Sequence, residues 1–221
     1  MREIVLDTET TGLSPRKGDR IVEIACVELI NHLTTGECFH KYINPERNMP
    51  EKAQAVHGLS EEFLSDKPVF SDVSEAFNDF IGTSPLIIHN AEFDMSFLNC
   101  ERERLNLDPL PMERSIDTLR LARKKCPGAQ VSLDALCRRF EVDNSTRAVH
   151  GALLDAKLLA EVYLELIGGR QQSMKLLSTK KMITADVEKN VFKKRPHAPS
   201  LEEEALHVQF LKKLKKPIWN L

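Results

Sequence analysis

Apolar and polar positions along the chain alternate between strand-like runs and helix-like stripes. Three early segments are apolar and rich in β-branched residues, which is typical of strands: residues 3–7, 20–30 and 37–43. Short connections join these segments, so we expect an antiparallel meander. Two further short strands are predicted at residues 85–89 and near Ser115-Ile116.

Segments with helical periodicity lie between and after these strands. The predicted helices cover residues 72–81, about 94–105, a stretch ending at Lys125, Ser132 to Phe140, and about 151–167. Asp72 and Glu75 are predicted to form a capping box at the start of the first helix. Three meandering strands followed by alternating helices and strands predict an α/β fold, with a mixed sheet covered by helices.

The pattern changes after Gly168-Gly169. Residues 170–200 are polar and basic, and we interpret them as a flexible linker. Residues 201–216 regain helical spacing, and the only tryptophan, Trp219, follows them. We therefore expect three parts, which are a body of residues 1–169, a linker of residues 170–200 and a C-terminal segment of residues 201–221.

The net charge of −2 hides an asymmetry between these parts. Residues 170–221 contain 12 Lys and Arg against 5 Asp and Glu, a net charge of +7, so residues 1–169 carry −9. Such a body is not typical of a protein that holds nucleic acid by bulk electrostatics. It favours an enzyme whose metal ions offset its charge and whose substrate is delivered by a partner.

The composition also suggests a cellular compartment. The five cysteines form no CxxC pair, and we expect buried free thiols in a reducing cytoplasm. No apolar run approaches the roughly 20 residues that span a membrane. Met1-Arg2-Glu3 leads directly into the first predicted strand, so we expect no signal peptide.

Carboxylates and histidines concentrate in three short motifs. These are Asp7-Thr8-Glu9-Thr10-Thr11-Gly12, His89-Asn90-Ala91-Glu92-Phe93-Asp94 and His150-Gly151-Ala152-Leu153-Leu154-Asp155. Strand ends and helix starts can meet at one edge of a sheet, where Asp7, Glu9, Asp94 and Asp155 would form a cluster. Asp7 and Glu9 are two positions apart, so an extended segment points both to one face.

Four clustered carboxylates need positive charge beside them. Buried like charges are costly unless cations neutralise them, and hard oxygen ligands suit Mg²⁺ or Mn²⁺. Each motif alone has a structural explanation: a turn at Asp7, a helix N-cap at Asp94, a surface histidine at His150, a helix-dipole partner at Asp155. None of these explanations accounts for all three motifs. A carboxylate cage with a histidine beside it is suited to attack of water on a phosphodiester.

Together the motifs resemble the three exonuclease motifs of the DEDD superfamily, in the subclass with the spacing His150-x4-Asp155. Val56-His57-Gly58-Leu59 and the segment from Ser132 to Cys137 extend the resemblance to the epsilon subunits of bacterial DNA polymerase III, over residues 2–169. Those subunits are proofreading 3′→5′ exonucleases. The resemblance implies a ribonuclease H-like fold and release of nucleoside 5′-monophosphates.

The resemblance also implies roles for individual residues. Asp7 and Asp155, with Glu9 nearby, would hold one divalent cation, Asp7 and Asp94 would hold a second, and His150 would be the general base. The residues expected to contact the terminal nucleotide are Asp7, Glu9, Thr10, Leu13, His57, Phe93 and Asp155, with Glu51 as a further candidate. His57 could instead be a turn histidine.

Two segments of the tail resemble partner-binding peptides. Gln171, Met174 and Leu176 are spaced as in peptides that bind the sliding clamp, although Leu176 replaces the usual aromatic residue. An ordinary linker is the alternative. Residues 201–221, with Trp219, resemble the part of epsilon that binds the polymerase III alpha subunit.

Two other functions remain open. A free-standing RNA-trimming 3′→5′ exoribonuclease would use the same motifs, but such enzymes usually lack a long partner-binding tail. A catalytically inactive exonuclease fold that acts as a scaffold would be favoured by loss of a carboxylate or of His150, and none is lost.

Overall fold

The computed structural model describes residues 1–145, 150–168 and 198–213. The chain divides into two units, Met1–Met174 and Lys175–Leu221. The predicted clamp-binding residues Gln171, Met174 and Leu176 lie outside the described residues, as does Trp219.

The first unit is built on a five-stranded mixed sheet. Its strands are β1 (Arg2–Thr10), β2 (Ile21–Ile30), β3 (Leu33–Tyr42), β4 (Leu86–Ile88) and β5 (Ser115–Asp117), in the order β3-β2-β1-β4-β5. The first three strands pair antiparallel, while β4 pairs parallel with both β1 and β5, so the predicted meander and the two later strands are confirmed. Central β1 extends past its predicted end at Asp7 to Thr10 and therefore includes Glu9.

Seven α-helices accompany the sheet in the described part of this unit. They are α1 (Glu51–His57), α2 (Glu61–Leu64), α3 (Phe70–Ile81), α4 (Ala91–Arg104), α5 (Thr118–Lys125), α6 (Leu133–Phe140) and α7 (Ala152–Ile167). Helices α1 and α2 were not predicted. The predicted cap of α6 is confirmed, because the Ser132 side chain accepts a hydrogen bond from the backbone N–H of Ala135.

The predicted capping box of Asp72 and Glu75 is wrong. Helix α3 begins at Phe70, Val69 is its N-cap without a side-chain hydrogen bond, and Asp72 lies in the first turn. Phe70 is buried in the core beneath the sheet. Tertiary burial of that ring therefore sets the start of the helix, in place of the local capping signal.

Alternate residues of β1 enter two different cores. Ile4 and Leu6 pack with residues of α3 and α4, whereas Val5 packs with residues of α6 and α7. The sheet therefore lies between two helical layers. Because side chains alternate along a strand, Asp7 and Glu9 continue the face of Val5, which is covered by α7.

A buried carboxylate joins α7 to this strand. Glu3 on β1 is fully buried, and the Tyr163 hydroxyl on α7 donates a hydrogen bond of 2.9 Å to its Oε1. His32 Nδ1 lies 2.7 Å from Glu3 Oε2. Since α7 also carries Asp155, these contacts hold it against the strand that carries Asp7 and Glu9.

The five cysteines are thiols and form no disulfide among the described residues. Cys26 and Cys137 are buried, Cys100 and Cys126 are half-buried, and Cys38 is exposed, so the expectation of burial is wrong for Cys38. Cys38 lies on β3, an edge strand of the sheet. Among the described helices, none has the length and apolar character needed to cross a membrane.

The second unit contains α8 (Leu201–Lys213). Ser200 and Glu203 form a capping box, in which the Ser200 N–H donates to Glu203 Oε2 and the Glu203 N–H donates to Ser200 Oγ. Acidic residues fill the first turn and Lys212 and Lys213 the last, which complements the helix dipole. The helix predicted in this segment is confirmed over Leu201–Lys213.

Candidate active site

The three sequence motifs meet where β1 ends. Asp7 and Glu9 lie on β1, Asp94 in the first turn of α4 and Asp155 in the first turn of α7. Burial raises the pKa of Asp7 well above its ordinary value, and the charges of Asp94, Glu9, Asp155 and Glu23 raise it further. The structure thus brings the four predicted carboxylates together from both helical layers.

Thr8 ties Asp94 to the strand. The backbone N–H and the hydroxyl of Thr8 donate to Asp94 Oδ1 at 3.1 and 2.7 Å. Burial raises the pKa of Asp94 to about 7, although the bonds from Thr8 act in the opposite direction. A buried carboxylate with so high a pKa needs a nearby positive charge to remain ionised at neutral pH.

His150 stands beside Asp155. Its Nδ1 lies 3.5 Å from Asp155 Oδ2, and its side chain is 48% exposed. Donor atoms of Glu9, His150 and Asp155 all lie within 4.8 Å of one another. The backbone N–H of His150 donates to the carbonyl of Val56 at 3.1 Å, which connects this histidine to the last turn of α1.

The donor set fits divalent cations. Asp7, Glu9, Asp94 and Asp155 supply carboxylate oxygens, which are the ligands that Mg²⁺ and Mn²⁺ prefer. The strongest charges acting on Asp7 are other carboxylates. Cations bound among these oxygens would remove the repulsion that raises its pKa.

A cleft between the loop after β1 and the start of α4 contains two of the residues expected at the nucleotide. Leu13 and Phe93 line it together with Ser14, Pro15, Arg16, Asn90, Glu92 and Ser96. Leu13 is 87% exposed, whereas Phe93 is half-buried and packs against Phe97 with ring centroids 4.9 Å apart. Thr10 is buried, and its hydroxyl donates to the Gly12 carbonyl at 2.7 Å.

The other two residues expected at the nucleotide lie on α1. His57 is 4% exposed, and its Nδ1 accepts a hydrogen bond from the Leu59 N–H at 3.0 Å, so it stabilises the turn after the helix. Burial lowers the pKa of His57. Glu51 is exposed at the first position of α1. Contact of either residue with a nucleotide remains a prediction.

Sequence reasoning missed Glu23. It lies on β2 in register with Glu9, is 3% exposed, and its Oε1 lies 2.7 Å from His40 Nε2. Its charge contributes to the raised pKa of Asp7. A single acidic residue inside the apolar run from Ile21 to Val27 was the signal that could have revealed it.

Comparison with known proteins identifies the family. The exonuclease family matches residues 4–163. The DNA polymerase III subunit epsilon of Rickettsia conorii is 50% identical over 224 residues, which covers 98% of this chain and 97% of that protein. The chain belongs to the DNA polymerase III epsilon subunit family. It is a 3′→5′ exonuclease of the proofreading type, as the motifs indicated.

Further comparisons support the family assignment and the fold. The epsilon subunit of Salmonella typhimurium is 50% identical over 177 residues, which covers 76% of this chain and 72% of that protein. A solved structure of exonuclease X in complex with 5′ overhanging duplex DNA is 29% identical, with a TM-score of 0.59, over 74% of this chain and 90% of that chain. The predicted ribonuclease H-like fold is confirmed.

Proposed function

We propose that this exonuclease removes single nucleotides from the 3′ end of DNA as the proofreading partner of a replicative polymerase, and that it works in the cytoplasm. The observation that carries the proposal is the cluster of Asp7, Glu9, Asp94 and Asp155, with His150 3.5 Å from Asp155. A carboxylate cluster of this kind with an adjacent histidine suits hydrolysis of a phosphodiester assisted by metal ions.

The carboxylates would hold two divalent cations, Mg²⁺ or Mn²⁺. Asp7 and Asp155, with Glu9, would bind the first, and Asp7 and Asp94 would bind the second. When bound, such ions make water acidic enough to attack at neutral pH and stabilise negative charge on the leaving oxygen.

His150 is the proposed general base. Its Nδ1 lies 3.5 Å from Asp155 Oδ2, beside the carboxylate cluster, and the side chain is half exposed. The imidazole takes the proton of the water whose oxygen forms the new bond to phosphorus. The bond from phosphorus to the 3′ oxygen breaks, and the product is a nucleoside 5′-monophosphate.

Leu13 and Phe93 supply apolar surface for the terminal nucleotide. An exposed leucine beside an aromatic ring can contact any base through its faces without reading the base edge. We therefore expect low sequence preference. Thr10, His57 and Glu51 are proposed to complete the nucleotide contacts, together with Asp7, Glu9 and Asp155.

The tail is proposed to attach the nuclease domain, residues 1–169, to its partners. In α8, Leu206, Val208 and Phe210 are 64%, 50% and 57% exposed, which leaves apolar surface for a partner. We propose that residues 201–221 bind the polymerase III alpha subunit. Gln171, Met174 and Leu176 would bind the sliding clamp. A tether through the linker, residues 170–200, would raise the local concentration of the nuclease at the primer end.

A primer assay tests the proposal. A 5′-labelled DNA primer with a 3′ mismatch should be shortened one nucleotide at a time with Mg²⁺ or Mn²⁺, and faster than a matched primer. Asp7→Ala and Asp155→Ala should abolish the activity, whereas Asp79→Ala, at an exposed position of α3, should retain it. Robust hydrolysis by the double variant Asp7→Ala with Glu9→Ala would refute the proposed chemistry. Faster degradation of RNA than of DNA would favour an exoribonuclease.

A further inference from the structure

The loop between β1 and β2 carries Leu13 into the nucleotide cleft. Its base is closed by two hydrogen bonds, from the Thr11 N–H to the Arg20 carbonyl at 2.9 Å and from the Arg20 N–H to the Thr11 hydroxyl at 3.0 Å. Leu13 itself is 87% exposed. Because so little of its side chain is packed, the backbone of the loop has to fix its position.

The Asp19 carboxylate fills the inside of this loop. Its Oδ2 accepts a hydrogen bond of 3.0 Å from the backbone N–H of Ser14, which directly follows Leu13. Its Oδ1 accepts a longer bond of 3.5 Å from the Thr11 hydroxyl. A Cβ atom at Gly12 would lie 2.4 Å from Asp19 Oδ2, so the glycine leaves the space that the carboxylate occupies.

Arg47 connects this carboxylate to the segment that leads to α1. Its Nη1 lies 2.8 Å from Asp19 Oδ1 and also donates to the Gly18 carbonyl. Arg47 belongs to the segment between β3 and α1, and α1 ends at His57 and bonds through the Val56 carbonyl to His150. Asp19 is therefore a junction between the Leu13 loop and the segment that leads to α1.

A second ion pair holds the same loop to α4. The Arg20 guanidinium donates two bonds to the Glu101 carboxylate, of 2.6 and 2.9 Å, and Glu101 is buried. Helix α4 also carries Phe93, the aromatic wall of the cleft. The loop is thus fixed both to the segment before α1 and to α4. Asp19 fixes the part of the loop next to Leu13.

We propose that Asp19, through its ion pair with Arg47, is a positioning residue that holds Leu13 and Ser14 for binding of the terminal nucleotide. The inference rests on the proposed nuclease function of the adjacent site. The Asp19 carboxylate bonds to Thr11, Ser14 and Arg47 and is proposed to act through the loop backbone. Its loss should therefore weaken nucleotide binding and leave the chemical step and metal binding in place.

Steady-state kinetics on short single strands test the proposal. Asp19→Ala should raise KM by about tenfold, the usual effect of losing a hydrogen bond to a charged group, with kcat nearly unchanged. Arg47→Ala should act in the same direction and less strongly, since Ser14 keeps its acceptor. Asp66→Ala, which removes an exposed carboxylate on the loop after α2, is the matched control and should leave KM unchanged.

Two further measurements separate positioning from a general structural role. The melting-temperature rise produced by Mn²⁺ without DNA should be the same in Asp19→Ala and the parent. In a Leu13→Ala background, Asp19→Ala should have little additional effect on KM, because the side chain that it positions is already gone. Asp19→Asn keeps an acceptor for the Ser14 N–H and should recover part of the affinity.

Three outcomes would overturn the proposal: additive effects of Asp19→Ala and Leu13→Ala, a loss in kcat with KM unchanged, or a weaker response to Mn²⁺. If Asp19→Ala does not fold, Asp19→Asn and Arg47→Ala provide the same comparison. The kinetics are measured on whichever strand the parent protein degrades. Failure of the parent on DNA would therefore count against the proposed substrate, whereas failure of the variant pattern would count against Asp19.

Discussion

Thr8 donates both its backbone N–H and its hydroxyl to one oxygen of Asp94, at 3.1 and 2.7 Å. The two bonds join the central strand to α4 on one side of the sheet, while Asp7 and Glu9 face α7 on the other. Because both bonds hold Oδ1, they also fix the orientation of the whole Asp94 carboxylate, including its second oxygen. A threonine between two acidic residues is therefore a structural support of the carboxylate cluster.

Replacement of Thr8 by valine should weaken metal binding. The change keeps the shape of the side chain and the backbone bond but removes the hydroxyl that holds Asp94. Loss of a group that orients a metal ligand typically costs about 10–100-fold in metal affinity or activity. Calorimetric titration of Mn²⁺ measures this loss, and Thr83→Val, at an exposed loop position, should bind Mn²⁺ like the parent. Equal affinities in all three proteins would contradict the role of Thr8.

Asp94 should make the metal-free protein less stable as the pH rises from 3.8 to about 7, and the comparison of the parent with Asp94→Asn isolates this contribution. In that interval the folded state keeps a proton on Asp94, whose pKa is raised to about 7, while the unfolded state releases it at the ordinary value of 3.8. The folded state then binds more protons, so the free energy of unfolding falls with pH. The raised pKa of Asp7 acts in the same direction.

Urea denaturation in the presence of EDTA measures this dependence. Asp94→Asn should flatten it, because the amide has no proton to exchange, whereas Asp79→Asn should keep the slope of the parent. Added Mn²⁺ should stabilise the protein more at pH 7 than at pH 5, because protons compete with the metal for the carboxylates. The same pH dependence in the metal-free parent and in Asp94→Asn would be inconsistent with the buried cluster.

His150→Ala should reduce the rate by about 10²–10⁴-fold, the usual contribution of a general base. Binding of a labelled strand should change little. His207→Ala, on exposed α8, serves as the control and should retain full activity on short strands. Full activity of His150→Ala would mean that another group accepts the proton.

Residues 1–169 should fold and cleave without the tail. The change in charge and periodicity after Gly168 motivates this boundary. A truncated protein of these residues should degrade short single strands at the rate of the full chain. Insolubility of the truncated protein, or loss of its activity on such strands, would contradict the proposed division of the chain.

Removal of residues 201–221 should abolish co-purification with the polymerase alpha subunit. Trp219→Ala should cost about 2 kcal/mol or more of binding free energy, as buried aromatic hot spots do. Gln171→Ala with Met174→Ala should weaken only the contact with the sliding clamp. Both variants are tested in a pull-down with both purified partners. The deletion is the control for the clamp contact, and the double variant is the control for the polymerase contact. Unchanged binding after deletion of the tail would refute the tether.

Local sequence patterns predicted the main strands and helices and the motifs of the site. The apolar run from Ile4 to Leu6 and the stripe of α7 gave the two elements that carry three of the four carboxylates, and the motifs gave their chemistry. Helices α1 and α2 were missed because they are short, with 7 and 4 residues, and α1 starts after Pro50 without a side-chain cap. Both helices contain too few apolar residues to show a helical periodicity in the sequence.

The roles of Thr8, Asp19 and Glu23 depend on contacts that no local pattern reveals. Asp94, the partner of Thr8, is 86 positions away, and Arg47, the partner of Asp19, is 28 positions away. Asp19 follows Lys17-Gly18 in the short connection between the first two predicted strands. Tertiary structure was needed to show that its carboxylate fills the space left by Gly12.

The pairing of β1 has a consequence for how the protein tolerates change. The strand is bonded on one side to β2, with Glu9 opposite Glu23, and on the other side to β4. A slip of one residue would turn Asp7 and Glu9 toward the layer of Phe77 and Phe97 and bring Leu6 and Thr8 to the α7 face. Misregistered chains would therefore bury two carboxylates and lose the cluster at once. Variants with insertions or deletions within β1 should therefore fail to fold. They should not yield a folded enzyme with partial nuclease activity.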